Sequence, residues 1–169
     1  QVNTAQAAVL YNKAIEYAGL TGQQVVIDAY CGTGTITLFL AQKAHKVYGI
    51  EIVKPAILDA QKNARDNHIK NAEFIVGDAT IVMPRLYKQG IRPDVVVVDP
   101  PRAGCTPTVL ETFASMKPER IVYVSCNPAS LARDIEILDG LGYKAQEIQP
   151  VDMFGQTSHV ESVALIERK

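Results

Sequence analysis

The stretch Val25-Val26-Ile27-Asp28-Ala29-Tyr30-Cys31-Gly32-Thr33-Gly34-Thr35 runs from a β-branched strand through a glycine turn into a helix that starts at Thr35. Strand, glycine turn and helix in that order form the opening of a βα unit. Upstream, residues 4–18 carry Ala8, Leu10, Tyr11, Ala14, Ile15 and Ala18 on one helical face, and Gly19 and Gly22 end that helix. Downstream, the pattern predicts a helix over 35–44, a strand over 46–50, a helix over 54–67 and a strand over 73–76. A weak helix over 80–89 around Pro84 and a strand over 94–98 follow. The second half predicts a helix over 107–116, a strand over 120–124, a helix over 128–139, and extended segments over 143–149 and 160–167.

Strands alternating with helices imply right-handed βαβ crossovers and a mainly parallel sheet. The last two extended segments have only a loop between them, so they form an antiparallel pair. The expected fold is α/β: a doubly wound, mainly parallel seven-stranded sheet with an antiparallel edge.

At 169 residues, 47% hydrophobic and 21% charged, the chain suits one globular domain and excludes disordered or collagen-like structure. No apolar run approaches the ~18 residues of a membrane span, and no secretory leader is visible after Gln1-Val2-Asn3. Seventeen basic residues against 18 acidic ones give a net charge of −1, without the basic footprint of a nucleic-acid binder. Three cysteines, an odd number with no C-x-x-C spacing, argue against disulfides and zinc and for reduced thiols in the cytoplasm. No metal site is expected.

Ligands of doubly wound sheets bind beyond the carboxyl ends of the strands. Those ends read Asp28 to Thr35, Gly49-Ile50-Glu51, Gly77-Asp78, Asp99-Pro100-Pro101-Arg102 and Ser125-Cys126-Asn127-Pro128, so each carries polar or glycine-rich chemistry. Gly32 and Gly34 allow backbone to approach a ligand. Thr37 stands where a dinucleotide fingerprint needs its third glycine, and no Gly-Lys-Ser/Thr phosphate loop exists. Glu51 can accept both hydroxyls of a ribose and would repel a nearby phosphate. Asp78 can bind an adenine edge or order its loop. A ribose and an adenine without phosphate point to S-adenosylmethionine. Asp28 either orients the loop or faces the cationic methionine end.

The runs DAYCGTGTITL (28–38), GIEIV (49–53), DPPRAG (99–104) and SCNPASLARD (125–134), in that order, resemble the RNA uracil-5-methyltransferases. The resemblance covers essentially the whole chain and is strongest to ribosomal-RNA members from Gram-positive bacteria. It implies a Rossmann-like class I methyltransferase domain, S-adenosylmethionine as cofactor, and RNA as substrate, with 23S ribosomal RNA ahead of transfer RNA. Gln1-Val2-Asn3 also matches; in the family this tripeptide follows two further domains, so residues 1–169 are expected to be the catalytic domain alone. Bulk RNA affinity would then reside in the N-terminal domains. The family pattern assigns cofactor contacts to Gln1, Tyr30, Glu51 and Asp99, which join Gly32, Gly34, Thr35 and Asp78 from the strand-end inventory. Gly155 departs from the family's usual proline in the Phe-Pro-Gln-Thr loop.

Methylation at uracil carbon 5 needs a thiol and a general base. Cys126 follows a strand and precedes a helix starting near Pro128, whose positive end should favour the thiolate. Cys31 and Cys105 read as structural. The residues alone leave the base open between His159 and Glu161; the resemblance assigns it to Glu161, with His159 at most positioning. Arg102 after Asp-Pro-Pro is either a phosphate or loop anchor or a solvated side chain. Two alternatives stand beside this expectation: an N-methyltransferase using the Asp-Pro-Pro loop, and a non-catalytic RNA-docking module.

Overall fold

A computed structural model describes residues 3–153 and 160–169. Gln1, Gly155 and His159 lie outside the described residues. One seven-stranded sheet has the order β3-β2-β1-β4-β5-β7-β6. Its strands are β1 (Val25–Asp28), β2 (Lys46–Glu51), β3 (Ala72–Val76), β4 (Val95–Val98), β5 (Arg120–Ser125), β6 (Tyr143–Val151) and β7 (Glu161–Arg168). The helices are α1 (Thr4–Ala18), α2 (Thr35–Ala41), α3 (Lys54–Asp66), α4 (Ala79–Lys88), α5 (Pro107–Ser115) and α6 (Pro128–Gly140).

The hydrophobic core is split by the sheet. Val26, Val47, Val97, Val122 and Val163 face Leu10, Ala14 and Leu40 of α1 and α2. Ile27, Val96, Val98 and Tyr123 face Met83 of α4, Phe113 of α5 and Leu138 of α6. Val95–Val98 is buried throughout, as a central parallel strand covered on both faces must be.

The α/β expectation holds, with two local differences. On α1, Leu10, Ala14, Ile15 and Ala18 are buried as expected, but Ala8 is exposed and Ala7 and Tyr17 join the buried face instead. Helix α2 stops at Ala41 because Asn71 Nδ2 donates to the carbonyls of Ala41 and Ala44, at 2.7 and 3.0 Å. The last two strands form the expected antiparallel pair at one edge of the sheet, with β7 inserted between β5 and β6 and running against both. The outermost strand is β6, and β7 begins at the end of the sheet where β5 finishes.

Candidate active site

Each carboxyl end of the parallel strands delivers one part of the site. After β1, the chain turns at Gly32 (φ 52°) and Gly34 (φ 86°), left-handed conformations that glycine adopts without strain. A Cβ at Gly32 would meet nothing within 4 Å, whereas at Gly34 it would press on Ala60 and Phe74 at 3.0 Å. Gly32 is therefore the open glycine; Gly34 lacks a side chain so that α3 and β3 can close on the turn. Glu51 ties this turn to β2, its Oε2 accepting from Gly32 N at 3.2 Å and its Oε1 from Val53 N at 2.9 Å.

Asp28 is fully buried; Oδ2 accepts from the Thr37 hydroxyl at 2.6 Å, while Oδ1 has no hydrogen-bond partner among the described residues. Burial pushes its pKa up to about 6, against the Thr37 bond, which lowers it. Thr37 is thus the acceptor's partner rather than a missing glycine. The unpaired buried oxygen suits a cationic ligand group.

A cavity of about 360 Å³ opens between the ends of β1, β3 and β4, lined by Tyr30, Ile52, Asp78, Thr80, Thr106 and Val109 among others. That volume fits a small-molecule cofactor. Ile52, next to Glu51, is 65% exposed and lines it; a large apolar side chain left in solvent beside a carboxylate is a signal the sequence reading passed over. Asp78 caps α4, Oδ1 accepting from Thr80 N at 2.8 Å and from the Thr80 hydroxyl, and these bonds hold its pKa low. It also lines the cavity, so both roles foreseen for it are compatible. Thr35 opens α2 but lines a different cavity, of about 480 Å³ between α2 and α3, which separates its side chain from the remaining candidates.

The other half of the site gathers around Cys126. Ser125 Oγ donates to Asn127 O at 3.0 Å and accepts from Asn127 N at 3.1 Å, wrapping the backbone around the thiol. Asn127 Oδ1 accepts from Ala129 N at 3.1 Å, capping α6. Of the three thiols Cys126 alone is partly exposed; Cys31 and Cys105 are buried. Burial raises the Cys31 thiol and carries Cys105 to about 12, in keeping with structural roles.

Across the sheet Ser125 pairs with Ser162, so Cys126, just past the end of β5, comes out near Glu161, the first residue of β7. Contrary to the sequence expectation, the Cys126 thiol is raised, by burial first and then by Glu161, with Asp99 adding to the effect. A backbone hydrogen bond and Arg102 oppose this and lower it. Burial also raises Glu161, and it pushes Asp99 to about 7 with help from Asp28 and Glu161. Three carboxyls thus link the glycine turn to the thiol. Among the described residues no group of His, Cys, Asp and Glu is arranged to hold a metal ion. No helix of the described residues is long and apolar enough to cross a membrane.

An open glycine turn and a cavity at the strand ends fit a small-molecule cofactor such as S-adenosylmethionine. The fold and this site define a Rossmann-like, class I S-adenosylmethionine-dependent methyltransferase domain. The family model described as tRNA (uracil-5-)-methyltransferase matches residues 1–169, and the chain belongs to that family. It is 60% identical, over 100% of its length and 37% of the relative's, to an uncharacterized RNA methyltransferase of Halalkalibacterium halodurans. A second from Clostridium tetani is 60% identical over 98% of this chain and 36% of its own. Among solved structures, the Pyrococcus abyssi tRNA (uracil-54, C5)-methyltransferase in complex with S-adenosyl-L-homocysteine superposes with a TM-score of 0.79 at 36% identity, covering 95% of this chain and 38% of that one. The chain spans little more than a third of the length of these relatives.

Proposed function

We propose that residues 1–169 form the catalytic domain of an enzyme that methylates carbon 5 of uridine in RNA, with Cys126 as nucleophile and Glu161 as general base. The β5–β7 register carries this proposal: it brings a partly exposed thiol beside a carboxyl of raised pKa, on the same sheet end as the cofactor cavity. Glu51, Tyr30, Gly32, Asp78 and Asp99 are the proposed cofactor contacts. Gln1 and Gly34 stay in that set on the sequence pattern; the second cavity makes Thr35 its weakest member.

Uracil carbon 5 is too weakly nucleophilic to be methylated directly. The Cys126 thiolate adds to carbon 6, forming a sulfur–carbon bond and turning carbon 5 into an enolate carbon. S-adenosylmethionine held in this site would supply the electrophilic methyl group, to which the enolate carbon 5 would bond as the methyl–sulfur bond breaks. Glu161 then takes the proton from carbon 5, the carbon 6–sulfur bond breaks, and the electron pair returns to sulfur. The target base must be unstacked to expose carbon 6. Asp28 and Asp99 hold the cationic end of the cofactor, and Arg102 steadies the thiolate.

The substrate assigned is ribosomal RNA, 23S ahead of transfer RNA, in the cytoplasm; the sequence resemblance supports this. The Pyrococcus enzyme is named for a tRNA position, so both RNA classes belong in the test. RNA containing 5-fluorouridine, whose fluorine cannot leave as a proton, should trap a covalent, methylated protein–RNA adduct detectable by denaturing electrophoresis and mass spectrometry. No adduct with this chain, where the full-length Halalkalibacterium relative forms one, overturns the autonomy of the domain. No adduct with either overturns the mechanism. An N-methyltransferase would keep its activity after Cys126→Ala.

A further inference from the structure

Arg133 and Asp134 are consecutive residues of α6, and consecutive helical side chains point about 100° apart and do not normally meet. Here they do: Arg133 Nε and Nη2 donate to Asp134 Oδ1 at 2.9 and 2.6 Å. A third element draws them together. Arg133 Nη2 also donates to the carbonyls of Ala103 and Cys105, at 2.8 and 3.1 Å. Asp134 Oδ2 accepts from Cys105 N at 2.7 Å and from the Tyr123 hydroxyl. Asn127 Nδ2 completes the grip by donating to Arg102 O at 3.1 Å.

The loop that follows β4, carrying Asp99 and Arg102, is therefore fastened to the helix that begins just after Cys126. Gly104 (φ 77°) makes room for it, since a Cβ there would lie 2.6 Å from Asp134 Oδ2 and 2.7 Å from Arg133 Nη2. The contact reaches the cofactor cavity too. Cys105 and Tyr123 belong to the core cluster against which Tyr30 packs, and Tyr30 lines that cavity. Asp134 is 0% exposed. A charge in that place is costly compared with an apolar side chain of similar size.

We propose that Arg133 and Asp134 are positioning residues: through the Ala103–Cys105 backbone and the Tyr123 hydroxyl, they hold the cofactor cavity and the Cys126 thiol in one geometry. The catalytic purpose of this device rests on Cys126 being the nucleophile; its geometric effect does not. Arg102 and Asp99 act on the thiol in opposite directions, so a loop released from α6 changes the titration of Cys126.

The test uses the 169-residue chain with Asp134→Asn and Arg133→Met. Three quantities are measured: the S-adenosylhomocysteine affinity by calorimetry, the pH profile of Cys126 alkylation by iodoacetamide, and the melting temperature. Both variants should weaken binding by about fivefold or more and move the alkylation midpoint by about half a pH unit. A lower melting temperature with affinity and alkylation profile unchanged means a structural contact only and overturns the proposal. Should Asp134→Asn fail to fold, Arg133→Met decides, because the Arg133 side chain is half exposed and Asp134 keeps its bonds from Cys105 N and the Tyr123 hydroxyl. Neither readout needs RNA or turnover. A missing 5-fluorouridine adduct beside a shifted profile would overturn the nucleophile assignment and leave the positioning device standing.

Discussion

Cys126, one residue past the end of β5, lies close enough to Glu161 at the start of β7 to feel its charge, because Ser125 and Ser162 pair across the two antiparallel strands. The next pair on the far side, Val151 with Glu161, fixes the start of β7 from β6 as well. Glu161 is thus anchored from both flanks while its carboxyl is half-buried beside the thiol. An acid and a nucleophile so placed can act on opposite ends of one double bond.

Removing the base should separate bond formation from release. Glu161→Gln keeps the shape of the side chain but cannot take the carbon 5 proton. With ordinary uridine RNA, the covalent methylated adduct should therefore accumulate and turnover fall by about 10²–10⁴-fold. Adduct trapped by mass spectrometry checks this; a variant that turns over at the wild-type rate rules Glu161 out as the base.

Thiol reactivity should follow burial. Iodoacetamide should modify Cys126 first and leave Cys31 and Cys105 untouched in the folded chain, as peptide mapping would read. Because burial and Glu161 raise the Cys126 thiol, its alkylation should climb later in a pH titration than that of a free cysteine peptide. Glu161→Gln should move that rise back toward lower pH.

Glu51 should matter for both binding and order. Glu51→Ala removes the proposed ribose acceptor and frees the amides of Gly32 and Val53. Calorimetry should show S-adenosylhomocysteine affinity reduced by about tenfold or more, roughly 1.4 kcal/mol. Unchanged affinity would leave Glu51 a loop staple only.

The buried carboxyls predict an unusual pH dependence. Asp28 at about 6 and Asp99 at about 7 keep their protons in the folded chain where the unfolded chain, at about 4, has lost them. The folded state then binds more protons across that window, so stability is greatest on its acid side and falls as pH rises through the folded values. The melting temperature of the ligand-free chain should drop by about 5 °C between about pH 5 and about pH 8. Asp99→Asn should flatten much of the slope. Cationic S-adenosylmethionine favours the ionised carboxylates, so its affinity should rise over the same interval more than that of the uncharged thioether product.

Two glycines should behave differently. Gly104→Ala puts a Cβ against Asp134 and Arg133 at positive φ, and should cost about 2–4 kcal/mol in denaturant unfolding. Gly32→Ala meets open space and should cost only the backbone term, about 1 kcal/mol, while weakening cofactor binding.

Most strands and helices were legible because hydrophobic periodicity is local; the caps Asn3, Asp78, Thr106 and Asn127 came from the structure. Ile52 was missed because exposure is not a property of a residue but of what surrounds it. The Arg133–Asp134 grip was missed because helical neighbours are expected to diverge, and only the loop from β4 turns them toward one another.

The sequence by itself determined the order of strands and helices, the glycine turn, the family and hence the cofactor, since each is written in contiguous residues. Tertiary structure alone decided that β7 enters between β5 and β6. Pairing across a sheet depends on segments far apart in the chain, and no local pattern encodes which edge a returning strand will join. That one insertion sets Glu161 beside Cys126, and the same kind of long-range contact raises the thiol that the helix start was expected to lower.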